Sequence, residues 1–273
     1  MWNALSRLSE FQIPDSEFQI SSLSLLLAAV FGAVVGSFLN VCIHRLPQGK
    51  SVAVPGSACP RCGHELAWFE NIPIVSWLVL RGRCRRCRAP ISVRYPIVEA
   101  ITAVMFAAGW WYYGPTALLV SRLTFGCALI VLFAIDLEHQ LLPNLITLPG
   151  IAAGFLFSLV AEPGWMASLI GIAVGGGVLF GVAEGYYRLR HEEGLGMGDV
   201  KMLAMVGAFL GWKLTLVTLM MASFCGSLVG VALIVTRRGG LKYALPFGTF
   251  LALGAAAAAT IGPAVLEWYL RLL

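Results

Sequence analysis

Charge is what this sequence has least of: Asp, Glu, Lys and Arg together make up 12% of its 273 residues, and only 14 of those residues are acidic. So sparse a polar complement cannot cover a water-soluble globule of this length, given that 59% of the chain is hydrophobic. The alternating segments of roughly ten residues that build an outer-membrane barrel are missing as well. No cleavable signal sequence is expected, because residues 1–20 mix Glu10, Asp15 and Glu17 with scattered apolar residues instead of a basic start and a short apolar core. There is no repeat of fixed period and no low-complexity run beyond the alanines of 255–259. No strand, GxGxxG turn and helix succeed one another as a dinucleotide-type cofactor fold would require.

What is present is a series of apolar runs near the roughly 20 residues needed to cross a bilayer as helix. Gly, Pro and charged residues punctuate the chain into helices near 21–43, 97–113, 117–136, 142–161, 166–187, 200–211, 214–235 and 246–270. The expected fold is an all-α integral membrane protein of about eight transmembrane helices, with the sixth short for a full crossing. Three divisions follow: 1–43 as the N-terminal segment and first span, 44–95 as a cytoplasmic loop domain, and 96–273 as the remaining membrane bundle. On this map the loops 44–95, 188–201 and 236–245 carry fifteen of the nineteen basic residues, as Lys and Arg do on the cytoplasmic side. Membrane topology thus accounts for most of the net charge of +5, and no nucleic-acid partner is expected.

The loop from His44 to Tyr95 breaks the apolar pattern and contains Cys59-Pro60-Arg61-Cys62 and Cys84-Arg85-Arg86-Cys87, with 21 residues between the pairs. Each CxxC turn can aim two thiolates at one tetrahedral Zn²⁺, and two such turns close the site without an open position, so the metal would be structural. A reducing cytoplasm disfavours disulfides at these positions. A loop this small lacks a core of its own, and metal binding would supply much of its folding free energy. His64 is a conceivable extra ligand, though beside four cysteines it reads rather as a surface residue of the first turn. Cys42, Cys127 and Cys225 read as plain core residues of the spans, and Gly175-Gly176-Gly177 as a site of close helix packing.

Ionisable groups inside spans are costly and mark function. Asp136 ends the third span in Ala134-Ile135-Asp136-Leu137-Glu138-His139, and Asp199 opens the sixth in Gly196-Met197-Gly198-Asp199-Val200-Lys201. Both fall at the cytoplasmic ends of their helices, so they can meet. Two carboxylates at a low-dielectric boundary share one proton, which is the arrangement of an aspartic protease. Gly196 and Gly198 would let a peptide backbone approach Asp199. Lys201 is a candidate to pair with an acidic substrate residue, or else snorkels to the interface. Glu138 and His139 read as interfacial, with a hydrogen bond from either to the aspartate pair as the alternative, and Arg122 and Glu184 read as partners of other helices.

These residues carry a resemblance. Gly36-Ser37-Phe38-Leu39-Asn40-Val41 with His44-Arg45-Leu46-Pro47, the double CxxC around Asn71-Ile72-Pro73 and Ser76-Trp77-Leu78, Arg94-Tyr95-Pro96 with Glu99, Leu142-Pro143-Asn144 and the GxGD run resemble bacterial type IV prepilin peptidases over residues 25–250. The resemblance implies a bifunctional inner-membrane enzyme with its active site facing the cytoplasm. It would cleave the leaders of prepilins and type II secretion pseudopilins, then methylate the new N-terminus with S-adenosylmethionine. By matching position, Asp136 and Asp199 would be the catalytic pair and Cys59, Cys62, Cys84 and Cys87 the zinc ligands. The 44–99 region is the candidate cofactor site, with Glu70 and Glu99 as candidate contacts; Glu99 equally suits a buried structural hydrogen bond. Two other readings stay open on residues alone: a presenilin-like protease cutting inside transmembrane substrates, and a transporter or inactive scaffold in which the aspartates line an ion path.

Overall fold

The computed structural model describes residues 21–191, 196–236 and 245–271. The segment 1–20, with Arg7, and the basic residues Arg237, Arg238 and Lys242 of the last loop lie outside the described residues. The described chain is helical: α1 (Ser22–Arg45), a five-residue α2 (Val75–Val79), α3 (Arg94–Tyr113), α4 (Ala117–His139), α5 (Asn144–Phe157), α6 (Trp165–Arg190), α7 (Met197–Val235), α8 (Phe247–Thr260) and α9 (Gly262–Leu270). Side-chain caps open two of the long helices, Ser21 accepting from the Ser24 N–H and Thr116 from the Leu119 N–H, each at 3.2 Å.

Four helices are long and apolar enough to cross a membrane: Ser22–Gln48, Ala117–His139, Trp165–Arg190 and Met197–Val235. A fifth span results if α8 and α9, bent by 70° at their junction, are counted as one. The expected helices 200–211 and 214–235 are joined in α7, but the join is a reversal. Gly211 adopts φ 75° and ψ 167°, a left-handed region open to glycine at little cost. Before the turn, Gly207 packs on Gly171 and Leu203 on Gly175; after it, Thr215 comes back to 3.2 Å from the position a Gly175 Cβ would take. Residues 197–210 and 212–235 are thus two antiparallel legs.

Small residues set how closely the legs approach. A Cβ on Gly207 would collide with the Gly171 carbonyl, and one on Gly175 with the Leu203 carbonyl. These backbones touch, as small-residue seams allow in membranes. The expected packing role of the glycine triplet therefore holds at Gly175, whereas Gly177 faces open space. The main core gathers around the first leg of α7, where Met202, Leu203, Met205, Val206 and Phe209 are buried against α4 and α8. Phe125 stacks on Phe209 at 4.9 Å between ring centroids. Half-buried Arg122 donates to the Phe209 carbonyl at 3.5 Å, one of the carbonyls left free at the end of that leg. Glu184 pairs with Arg188 one turn away, at 2.7 Å. Cys225, expected in the core, is exposed on the outer surface of the second leg.

α1 and α3 form a second, antiparallel pair. Gly36 lies against the Glu99 backbone and Gly32 against Thr102 and Ala103. This pair carries the 44–95 loop at one end of the bundle, the same end at which α4 finishes and α7 begins.

Candidate active site and thiolate knuckle

The loop folds as two matching turns. Cys59 N–H donates to the His64 carbonyl (2.9 Å) and Gly63 N–H to the Cys59 carbonyl (2.9 Å); Cys84 N–H donates to Ala89 (2.8 Å) and Arg88 N–H to Cys84 (3.0 Å). Gly63 and Arg88 both take a positive φ at the turn. The four sulfurs of Cys59, Cys62, Cys84 and Cys87 lie within 4.8 Å of one another, with Cys59 and Cys87 3.8 Å apart and Cys62 and Cys84 4.0 Å apart. These separations exceed a disulfide bond of about 2.05 Å and match the edges of a tetrahedron with metal–sulfur bonds of about 2.3 Å. Backbone N–H groups of Arg61 and Cys62 donate to Cys59 and bring its thiol down to about 6, and those of Cys87 and Arg86 act on Cys84 in the same direction. Against the His64 N–H, burial and the neighbouring thiols push Cys62 up to about 11, so the set favours thiolate at Cys59 and Cys84 and leaves Cys62 to a bound cation. Its tetrahedral sulfur geometry fits Zn²⁺.

Glu70 is buried beside the knuckle, accepting from Ala67 N–H at 3.0 Å and lying 3.2 Å from His64 Nε2. The Ala67 N–H, and then His64, hold its carboxyl below the usual range. Glu99 is also buried and accepts from the Ile74 N–H at 2.7 Å, tying α3 to a backbone that carries a positive φ at Ile74. Both glutamates line a cavity of about 630 Å³ between α1, α3 and the loop.

At the neighbouring helix ends the structure brings together the two aspartates. Asp136 is buried in the last turn of α4. Its Oδ2 accepts from the Thr249 N–H at 2.6 Å and from the Thr249 hydroxyl at 2.9 Å. The N–H belongs to the first turn of α8, whose cap, Pro246, offers no side-chain acceptor. Asp136 therefore caps α8 from another helix. Gly248 sits directly beneath it: a Cβ there would stand 3.0 Å from the carboxyl carbon. Asp199 lies in the first turn of α7, its N–H donating to Gly196 at 3.1 Å, near enough to Asp136 for the two carboxylates to interact electrostatically. Leu142 separates the helix starts, in contact with both the Gly198 and Gly248 positions.

Gly196 lies against Asp199 Oδ2, while the space over Gly198 is taken by Leu142. Lys201 Nζ donates to Asn144 Oδ1 at 2.9 Å. Glu138, read as interfacial, is exposed and in addition makes an ion pair with Arg94 of α3. Thr249 was not identifiable from sequence, because 113 residues separate it from the carboxylate it serves.

A helical bundle of apolar spans, with two carboxylates converging at one end beside a four-thiolate knuckle, defines the class: a polytopic membrane protein with a metal-binding loop. Residues 30–113 match the family described as the bacterial peptidase A24 N-terminal domain, and residues 123–231 match the type IV leader peptidase family. The chain belongs to the type IV leader peptidase family. It is similar to proteins named prepilin leader peptidase/N-methyltransferase: 37% identical to that of Aeromonas hydrophila over 89% of this chain and 93% of the relative. To the Myxococcus xanthus protein it is 45% identical over 77% of this chain and 64% of the relative. To that of Pseudomonas aeruginosa it is 34% identical over 90% and 93%. No solved structure matches.

Proposed function

We propose that this chain is an aspartic endopeptidase of the bacterial inner membrane that removes the leaders of type IV prepilins and type II secretion pseudopilins at the cytoplasmic face, then N-methylates the new terminus. The observation that carries the reading is the meeting of Asp136 and Asp199, brought from α4 and α7 to one end of the bundle. With one proton shared between them, one carboxylate takes a proton from the attacking water while its protonated partner donates to the peptide carbonyl oxygen. The tetrahedral intermediate then collapses with proton transfer to the leaving amine. Thr249 occupies Asp136 Oδ2 with two donors, so Oδ1 is the oxygen left to exchange a proton. Gly196 leaves room for the substrate backbone beside Asp199, and Lys201, held by Asn144 at the helix ends, is placed to meet an acidic substrate residue.

Cys59, Cys62, Cys84 and Cys87 would hold one structural Zn²⁺ that orders the loop without entering the chemistry. S-adenosylmethionine would supply an electrophilic methyl group, with Glu70 and Glu99 on the candidate cofactor wall. The eight helical legs α1, α3, α4, α5, α6, the two legs of α7, and α8 alternate in direction, which supports eight crossings with the divisions 1–43, 44–95 and 96–273. The legs of fourteen residues, α5, the first leg of α7 and α8, rise about 21 Å at 1.5 Å per residue and are short for a roughly 30 Å core. Local thinning of the bilayer would accommodate them.

Purified Asp136→Asn and Asp199→Asn variants incubated with a prepilin test the pair. Each is expected to cleave at least a hundredfold more slowly than wild type; normal cleavage by either overturns the assignment.

A further inference from the structure

The second half of the cysteine loop carries far more positive charge than its surroundings answer. Residues 44–95 hold nine basic residues and two acids, Glu65 and Glu70. Five of the nine, Arg81, Arg83, Arg85, Arg86 and Arg88, crowd into eight positions and are all exposed. None of the five is ion-paired among the described residues. Glu70 is engaged by the Ala67 N–H and by His64, and of the five only Arg85 acts on it electrostatically. Like charges this close repel one another, so the turn gains from an anion. Arg81, Arg83, Arg85 and Arg88 line a cavity of about 500 Å³, and Val79 and Leu80 supply its apolar wall. Guanidinium forks around one hollow suit a phosphate, which each can bind through two parallel N–H bonds.

The surface beside the arginines is apolar. Trp68, Val79 and Leu78 are 81%, 74% and 60% exposed, an exposure that water alone does not favour. Arg85 lies over the Phe69 ring at 5.3 Å and Phe69 packs edge-on against Trp68 at 5.8 Å, so the aromatic pair and the arginine cavity form one continuous surface. Exposed Trp beside Arg is the composition of a membrane interface. The turn also stands at that level. Ile91 N–H donates to the Gly82 carbonyl at 2.7 Å and closes residues 82–91 three positions ahead of α3. Asn40 Nδ2 of α1 donates to the Tyr95 carbonyl at 3.1 Å, so α3 starts level with the last turns of α1, one of the apolar spans.

We propose that this surface binds an anionic phospholipid of the adjoining leaflet, its phosphate held by Arg81, Arg83, Arg85 and Arg88 and its hydrocarbon lying against Leu78 and Val79, with Trp68 at headgroup depth. The bound lipid fixes the cysteine loop against the bilayer, at the end of the bundle where α4 finishes and α7 begins. A soluble acidic partner would satisfy the arginines but leave the apolar strip in water.

Native mass spectrometry of the full-length protein, released from detergent and titrated with phosphatidylglycerol or phosphatidylcholine, tests this. Wild type is expected to prefer phosphatidylglycerol by at least about tenfold, and a paired Arg83→Gln, Arg85→Gln variant to lose that preference while keeping wild-type zinc content and phosphatidylcholine binding. A variant of wild-type zinc content whose phosphatidylglycerol affinity stays within about twofold of wild type overturns the proposal. Displacement of the lipid by millimolar inorganic phosphate would make the site one for free phosphate and overturns the lipid assignment. So does an acidic peptide that binds wild type but not the variant while lipid binding is equal in both. If the variant loses its zinc, wild type in nanodiscs holding a headgroup-photoactivatable phosphatidylglycerol decides: label in peptides from 68–88 supports the site, and label confined to other peptides overturns it. Each of these failures leaves the peptidase reading standing, since none touches Asp136 or Asp199.

Discussion

The four cysteines show how far single residues were readable. A CxxC turn is a local object, so the spacing alone announced four thiolates, and the folded loop brings all four within 4.8 Å. A paired Cys84→Ser, Cys87→Ser variant is expected to lose its zinc, falling from about one ion per chain to none by metal analysis. Full retention would refute the ligand set. Asp136 is different, because its environment comes from α8. Thr249→Val removes the hydroxyl donor from a buried carboxylate and leaves only the backbone N–H. Hydrogen bonds to charged groups contribute roughly 1.5–3 kcal/mol, so a lowered unfolding midpoint is expected in a thermal scan. An unchanged midpoint would show that the hydroxyl contributes nothing there. Asn40 and Arg94 stood in the sequence as part of a recognisable series, but an orphaned oxygen or nitrogen is visible only once its neighbours are in place.

Among the elements, the apolar runs predicted the helices well and their joints less well. Composition distinguishes helix from loop because a bilayer admits only backbones whose hydrogen bonds are satisfied internally. It does not say whether two apolar runs continue or reverse. At Gly211 the answer is a positive φ and a reversal, between legs read in sequence as 200–211 and 214–235. The seam between α6 and α7 is the most restrictive contact in the bundle. Gly207→Leu forces a side chain into the Gly171 backbone and is expected to cost 1–3 kcal/mol or more of stability. Gly177→Leu points into open space and should leave the unfolding midpoint near wild type. Equal midpoints for the two variants would contradict the close seam.

For the whole molecule, the question is which end of the bundle faces which compartment. Basic residues in the 44–95 and 188–201 loops predict that the knuckle, the end of α4 and the start of α7 share the cytoplasm. In intact cells, a membrane-impermeant thiol reagent should label Leu159→Cys, at the α5–α6 turn, and label Leu141→Cys only after lysis. The reverse pattern would invert the topology. The same gathering at one face explains why peptide cleavage and methyl transfer can be joined in one chain: the Arg94–Glu138 pair ties the cavity wall to the helix that ends in Asp136.

Sequence alone marked the apolar class of environment, the positions of most helices, the four-cysteine loop and the two aspartates that the fold gathers at one end. Each follows from local rules: hydropathy over about twenty residues, the reach of a CxxC turn, and the cost of ionisable groups in lipid. Tertiary structure alone decided that the chain reverses at Gly211, that Thr249 of α8 caps and orients Asp136, and that Glu138 reaches Arg94. It also left Asn40 Oδ1 and Arg94 Nε buried without a hydrogen-bond partner among the described residues. The Arg94–Glu138 and Asp136–Thr249 contacts join residues 44 and 113 positions apart, and no local rule reaches that far.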